Sequence, residues 1–343
     1  MKKKVLALSM AAVLAMSALT GCGGGDDKSS GGDGDKVKST DLRMNITTPE
    51  TGTWMNGAQS FADKIKERTN GKYTISIYPN EQLSNGDQGK GVEMVVNGST
   101  DVDIHSTIIW SALNQKLTVV NMPWLITSYE QADELFTGEA GQAINDIMKD
   151  IGVVPLAFGE SGFRQLTNSK REVTKPEDLK GLKIRVPGIA MYIDLFKELG
   201  ADPTAMNWGE TFTALQQGAV DGQENPLDVA YTGKMQEVQK YLTNWNYSYD
   251  LLVLSVSQKT WDKLTDDEKK IFQDTATEAM ELQKKDARKA NADYKSKMVE
   301  AGMQSVDLTP EQIEVFKAKA APIYDKYKDT IGEDLYQKFG YTK

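Results

Sequence analysis

The residues best suited to chemistry in this chain are two arginines, a tryptophan and an amide, each placed where a predicted strand or helix gives way to a loop. Arg185 lies in GLKIRVPG (181–188), where Leu182, Ile184 and Val186 fall on one face of a strand and Lys183 and Arg185 on the other. Arg164 follows the predicted strand VVPLAF (153–158) in GESGFRQLTN, Trp208 lies in NWGE, and Asn225 immediately precedes Pro226. Ligands of α/β proteins gather beyond the carboxyl ends of strands, so the four together outline a pocket, with Arg185 a candidate for an anion. Each also has a plainer reading: ion pairs with surface carboxylates for the arginines, a core position for Trp208, an Asx turn for Asn225-Pro226. Pattern alone leaves both readings open.

Composition removes several other chemistries. The 343 residues include one histidine and one cysteine, too few for a zinc site or a histidine-based catalytic set. No GxGxxG or GxxxxGK[ST] segment occurs, so the usual nucleotide cradles are missing, and neither metal nor cofactor is expected. The formal charge is −9; without the three lysines near the start, 37 Lys+Arg stand against 49 Asp+Glu, or −12. Such acidity argues against nucleic acid and against a broad membrane-surface patch, and an anionic ligand must be held by a few local cations. Carboxylates are numerous enough that counting alone does not remove a paired-carboxylate hydrolase.

The first residues read as an export signal. Lys2, Lys3 and Lys4 precede an uncharged, mostly apolar run, Val5 to Leu19, too short for a membrane span. It ends in LTGC, and Cys22 is the single cysteine. The stretch resembles the bacterial lipoprotein signal, which implies a signal peptide over 1–21 and lipidation of Cys22; the plainer alternative is an ordinary cleaved signal with an incidental thiol. Residues 22–40, rich in Gly, Ser and Asp, are expected to form a flexible tether, and the folded part to start near Asp41. The expected location is extracytoplasmic, anchored to the membrane through lipid, with two acyl chains because one binds weakly.

The elements that must position the four residues alternate along the chain. Strand patterns at 41–47, 72–79, DVDIH (101–105), 153–158, LKIRVP and PTAM are interleaved with helical ones at 57–71, 88–97, 129–150, IAMYIDLFKEL, ETFTALQQ and LDVAYTGKMQEVQKYL. This is the β-α rhythm of α/β lobes, and about 300 residues suit two of them. YSYDLLVLSVS (247–257) reads as one long buried strand. Thr265 and Glu268 form a capping box for a helix running to Ala301-Gly302, roughly 50 Å long and able to lie across both lobes.

GFRQLTNSKREVTKPEDLKGLKIRVP (162–187) and ALQQGAVDGQENP (214–226) resemble the two signature segments of the extracytoplasmic solute receptors of tripartite ATP-independent periplasmic (TRAP) transporters. FADKIKERTNGKYTISIYPNEQL (61–83), MPWLI (122–126) and KMQEVQKYL (234–242) fit the same family in order. The resemblance implies a two-lobed, periplasmic-binding-protein-like α/β fold with crossing hinge strands and a long helix spanning both lobes. It places lobe I at 41–161 plus 251–289 and lobe II at 162–250 plus 290–343. It implies no enzymatic activity, but capture of an organic acid and its delivery to a two-subunit TRAP permease in the membrane.

Carried over residue by residue, Arg185 matches the arginine that grips the ligand carboxylate with two prongs, Arg164 a second arginine nearby, and Asn225 an amide that hydrogen-bonds the same group. Trp208 falls where members place an aromatic against the ligand body. In the first lobe, TTPETGTW (47–54) aligns with a ligand-lining loop, making Glu50, Thr53 and Trp54 candidates. SNGDQGKG (84–91) is longer than the usual loop and adds Asp87 and Gln88; His105 and Ser106 follow DVDI at another lining position. Glu50 and Trp54 suit a polyhydroxylated ligand, so a sugar acid, hexuronate or aldonate, is expected. A C4-dicarboxylate or 2-keto acid is the alternative within the class, and a secreted carboxylate-pair hydrolase the alternative outside it.

Overall fold

The structure is a computed structural model that describes residues 39–341. The export signal, Cys22 and all but the end of the tether lie outside the described residues. Eleven strands are formed among them: β1 (Thr40–Ile46), β2 (Tyr73–Tyr78), β3 (Val102–Ser106), β4 (Val153–Phe163), β5 (Gln165–Asn168), β6 (Lys183–Val186), β7 (Asp202–Ala205), β8 (Gly222–Asn225), β9 (Tyr241–Asn244), β10 (Tyr249–Ser257) and β11 (Gln304–Asp307). They build two sheets, of order β2-β1-β3-β10-β4 and β11-β9-β5-β8-β6-β7. In the first sheet β1 is parallel to β2 and β3, and β10 runs antiparallel between β3 and β4. In the second, β6 is parallel to β7 and β8, while β5 is antiparallel to β8 and β9. The architecture is thus the expected two-lobed α/β fold.

Besides the passage through the long helix from β10 to β11, the chain crosses between the sheets at two adjacent places. Arg164 alone separates β4 from β5, and residues 245–248 separate β9 from β10. The Arg164 N–H donates to Ser248 O at 2.9 Å, so the two crossings are tied together.

Five helices position the site: α1 (Thr53–Arg68), α2 (Gln88–Val96), α3 (Trp208–Gln216), α4 (Leu227–Thr232) and α5 (Asp266–Glu300). Helix α5 has 35 residues and opens with the expected capping box, Thr265 Oγ1 accepting from Glu268 N–H and Glu268 Oε2 from Thr265 N–H. It buries Phe272, Ala276, Ala279, Ala287 and Met298 and packs on α1, on β4 of the first sheet and on α4, the helix that follows β8 of the second. Gly159 on β4 makes the approach possible, since a Cβ there would collide with Met280 and Gln283.

Two predicted helices end sooner than their patterns suggest. The 129–150 segment breaks at Gly138 into Tyr129–Thr137 and Glu139–Ile151. The helix begun by LDVAY stops at Thr232, where Gly233 caps it and Lys234 takes a left-handed conformation (φ 63°), and the tail Tyr241-Leu242 pairs as β9.

Candidate functional site

Arg185 comes from β6, whose neighbours β8 and β7 cover it on both sides. Lys183, two residues earlier, is exposed at the strand's start, whereas Arg185 is 2% exposed. Its Nε and Nη2 both donate to Met206 O, at 3.0 and 2.7 Å, and its Cζ lies 5.6 Å from the Trp208 ring centroid. Among the described residues no carboxylate pairs with it. Burial, with Arg164 nearby, pulls its pKa down to about 10 against the field of Glu224, so at neutral pH it remains a buried cation that no carboxylate touches. Such a charge is costly until an anion arrives.

Arg164, by contrast, is engaged by carboxylates of the protein. Its Nε donates to Glu224 Oε2, its Nη2 to Glu224 Oε1 and Glu224 O (both 2.8 Å), and its Nη1 to Asp250 Oδ2 (2.8 Å). Burial works against the charge, but Glu224, Tyr192 and Asp250 more than offset it and hold the pKa above the ordinary arginine range. The guanidinium is thereby locked at the crossing of the strands with about one N–H to spare of its five. Tyr247 donates a short hydrogen bond to the same Glu224, and burial pushes Asp250 up.

The two arginines share the wall of a small cavity between the sheets, about 30 Å³ in volume. Of the residues singled out in the sequence, Arg185, Arg164, Asn225, Trp208, Trp54, Gln88 and Ser106 line it. Four do not. Glu50 is exposed; Asp87 is spent on the N-cap of α2, accepting from Lys90 N–H. Thr53 donates both its N–H and its hydroxyl to Asp228, at 3.2 and 2.8 Å. His105 is wholly buried between Glu81 and Asp103.

Sequence reasoning missed Thr47, Thr48, Ile108, Ile109 and Asp250, all on the wall. Asp250 carried a usable signal, as the one charge inside the otherwise apolar strand YDLLVLSVS. Thr48 and Trp54 present a hydroxyl and an indole N–H that have no partner among the described residues although both are buried. Groups of that kind are costly unless a ligand or water satisfies them. The cavity therefore offers an unpaired cation, unpaired neutral hydrogen-bonding groups, and a tryptophan on each side. This arrangement suits a small anion with an apolar face.

The cavity walls are held together by hydrogen bonds across the gap. Asp228, on α4 beside the second sheet, takes the Thr53 N–H at the start of α1. Gln88, on α2, takes the Trp208 N–H at the start of α3 at 3.2 Å.

Two α/β lobes closed on a cavity of this kind define a solute-binding protein. The chain matches the family described as bacterial extracellular solute-binding protein, family 7 (DctP), over residues 44–330, and belongs to it. A TRAP periplasmic solute-binding protein from Ralstonia eutropha H16, solved with bound (S)-2-acetolactate, is 38% identical, with a TM-score of 0.85 over 87% of this chain and 97% of that one. Another, from Polaromonas sp. JS666 with bound D-erythronate, is 33% identical, with a TM-score of 0.84 over 89% and 99%. The 2,3-diketo-L-gulonate-binding periplasmic protein YiaO of Escherichia coli is 29% identical over 265 residues, 77% of this chain and 80% of the other. These relatives carry solutes for transport, and family membership replaces the hydrolase alternative. The family is extracytoplasmic and works with a membrane permease.

Proposed function

We propose that this protein captures an organic monocarboxylate on Arg185 and hands it to a TRAP permease of two subunits. The observation that carries this reading is the buried Arg185 with no carboxylate partner. A guanidinium held by Met206 O through one edge keeps N–H groups for a carboxylate, and the fork geometry would be lost with lysine. Asn225, Trp208, Trp54, Gln88 and Ser106 complete the contact set, with Arg164 fixed beside it by Glu224 and Asp250. Glu50, Thr53, Asp87 and His105 stand outside.

A sugar acid is favoured over a C4-dicarboxylate, because one cation is unpaired while Thr48 and Trp54 offer neutral partners for hydroxyls. Of the ligands named for the relatives, erythronate is a short aldonate, acetolactate is a small hydroxy acid, and diketogulonate is a keto acid of sugar length; all are monocarboxylates. Lobe I comprises 41–161 plus 251–289 and lobe II 162–250 plus 290–343. Residues 1–21 are removed as a lipoprotein signal, and Cys22 anchors the receptor; Cys22→Ala releases it from membranes without changing its affinity.

A thermal-shift screen of organic acids, followed by calorimetry, tests the reading. Binding without turnover is expected, and Arg185→Lys should weaken it by more than about tenfold, since a charged hydrogen bond contributes about 1.5–3 kcal/mol. Equal affinity in that variant would remove Arg185 from the site.

A further inference from the structure

Asp250 is the one carboxylate on the cavity wall, an unexpected group in a place built to receive an anion. It lies on β10 where the pairing with β4 shifts register between Asp250 and Leu251, a bulge of the kind that re-aims a side chain. Both its oxygens are fixed. Oδ1 accepts from Ser106 Oγ at 2.5 Å and Oδ2 from Arg164 Nη1 at 2.8 Å. The Ser106 oxygen in turn accepts from Ile108 N–H at 3.0 Å, which directs the serine proton to Asp250. Both neighbours donate, so Asp250 is presented as an acceptor, and a carboxylate with about four acceptor positions keeps about two of them open.

Charge narrows the ligand further. Arg164 serves Glu224 as well as Asp250, so these three groups sum to −1 and Arg185 returns the cavity to neutrality. One ligand carboxylate is tolerated because Arg185 meets it directly; a second would face Asp250. What Asp250 can accept is a proton donor without charge, and because Arg185 and Asp250 line one small cavity, a donor close to the carboxylate is the one best placed to reach it.

We infer that Asp250 is a specificity-determining residue that selects 2-hydroxy monocarboxylates, taking a hydrogen bond from the hydroxyl on the carbon next to the carboxylate. This deepens, and rests on, the monocarboxylate reading of Arg185. A 2-keto acid of the same size places an acceptor against an acceptor, and the 2-deoxy acid leaves Asp250 desolvated without a new partner.

The test compares 2-hydroxy-3-methylbutanoate, 2-oxo-3-methylbutanoate and 3-methylbutanoate by calorimetry on the full-length protein. In the wild type the hydroxy acid should bind at least about tenfold more tightly than either analogue. Asp250→Asn should compress that ratio to within about threefold, whereas Arg185→Lys should weaken all ligands together and preserve the ratio. Equal binding of the three by the wild type overturns the inference while leaving the carboxylate reading in place, and a preference for the keto acid overturns it too, since it would require a protonated Asp250. A wild-type ratio that survives Asp250→Asn assigns the selection elsewhere and also overturns it. If no carboxylic acid binds at all, in this set or in the wider screen, the carboxylate reading itself fails. Should Asp250→Asn not fold, the wild-type ratio still decides whether the site demands the hydroxyl.

Discussion

At the scale of single residues, His105 shows how burial redirects a polar group from binding to balance. Its Nε2 is 2.7 Å from Glu81 Oε1 and its Nδ1 3.5 Å from Asp103 Oδ2. Burial pushes Glu81 up to about 7, against hydrogen bonds from Thr47, Ser84 and Asn45, and pulls His105 down to about 3. The pair thus holds one proton, on Glu81 and donated to Nε2, and carries no charge. The unfolded chain between about pH 4.5 and 6.5 also holds one proton on these two residues, on the histidine, so the pair adds no slope to stability there. In His105→Gln that compensation is gone. Glu81 then has a folded pKa above its unfolded one, so its contribution is full below about pH 4.5 and is lost as the pH rises through about 7. A shift of that size corresponds to roughly 3 kcal/mol. Burial also raises Asp103, and the charge of Glu81 adds to that shift. Urea unfolding across this pH range should show the variant losing ground to the wild type as pH rises; a constant gap would refute the shared proton.

At the scale of elements, two helices of the cavity begin without a side-chain cap of their own. Gly52 precedes α1 and Asn207 precedes α3, and neither supplies a side-chain bond. Asp228 and Gln88 supply the caps from across the gap, and the first turns they cap carry Trp54 and Trp208 of the cavity wall. Separating the lobes would expose these helix ends again, so closure and capping are one event. A lost cap costs about 1 kcal/mol, so Asp228→Ala and Gln88→Ala should each weaken ligand binding about fivefold, mainly through faster release. Stopped-flow dissociation rates equal to wild type would show that the caps do not report closure. Contacts of this sort were not legible in the sequence, because Thr53 and Asp228 stand 175 residues apart and Ser106 and Asp250 144 apart. Local signals were legible: the β-α rhythm, the Thr265–Glu268 box and the strand that carries Arg185. Alternation alone could not separate Lys183 from Arg185, since what surrounds Arg185, Met206 O and the Trp208 ring, comes from more than twenty positions further along the chain. The tail of the predicted 227–242 helix went to β9 for the same reason, its pairing with β5 and β11 lying far away in sequence.

At the scale of the whole molecule, one apolar core runs through both sheets and the crossing between them. It includes Val153 and Val253 of the first sheet, Leu166 and Ile184 of the second, and Trp245 and Tyr247 in the crossing segment. Trp245 is the centre of an aromatic group, its ring centroid 4.9 Å from Tyr247, 5.2 Å from Phe316, 6.1 Å from Trp124 and 6.2 Å from Phe196. Phe316 belongs to the helix Pro310–Ile331, so the C-terminal part of the chain is packed onto the crossing as well. A lobe that unfolded alone would strip these contacts from its neighbour, so the two lobes are expected to unfold together. Trp245→Ala should therefore cost about 3–5 kcal/mol and lower the stability of the entire fold in a single step. Saturating ligand, at about a hundred times Kd, should return about 2.7 kcal/mol to wild type and to any variant that still binds. Coincident denaturation curves from aromatic and backbone circular dichroism are the expected result. Two separated transitions, with only the first shifted by Trp245→Ala, would show that the crossing segment joins two independent cores.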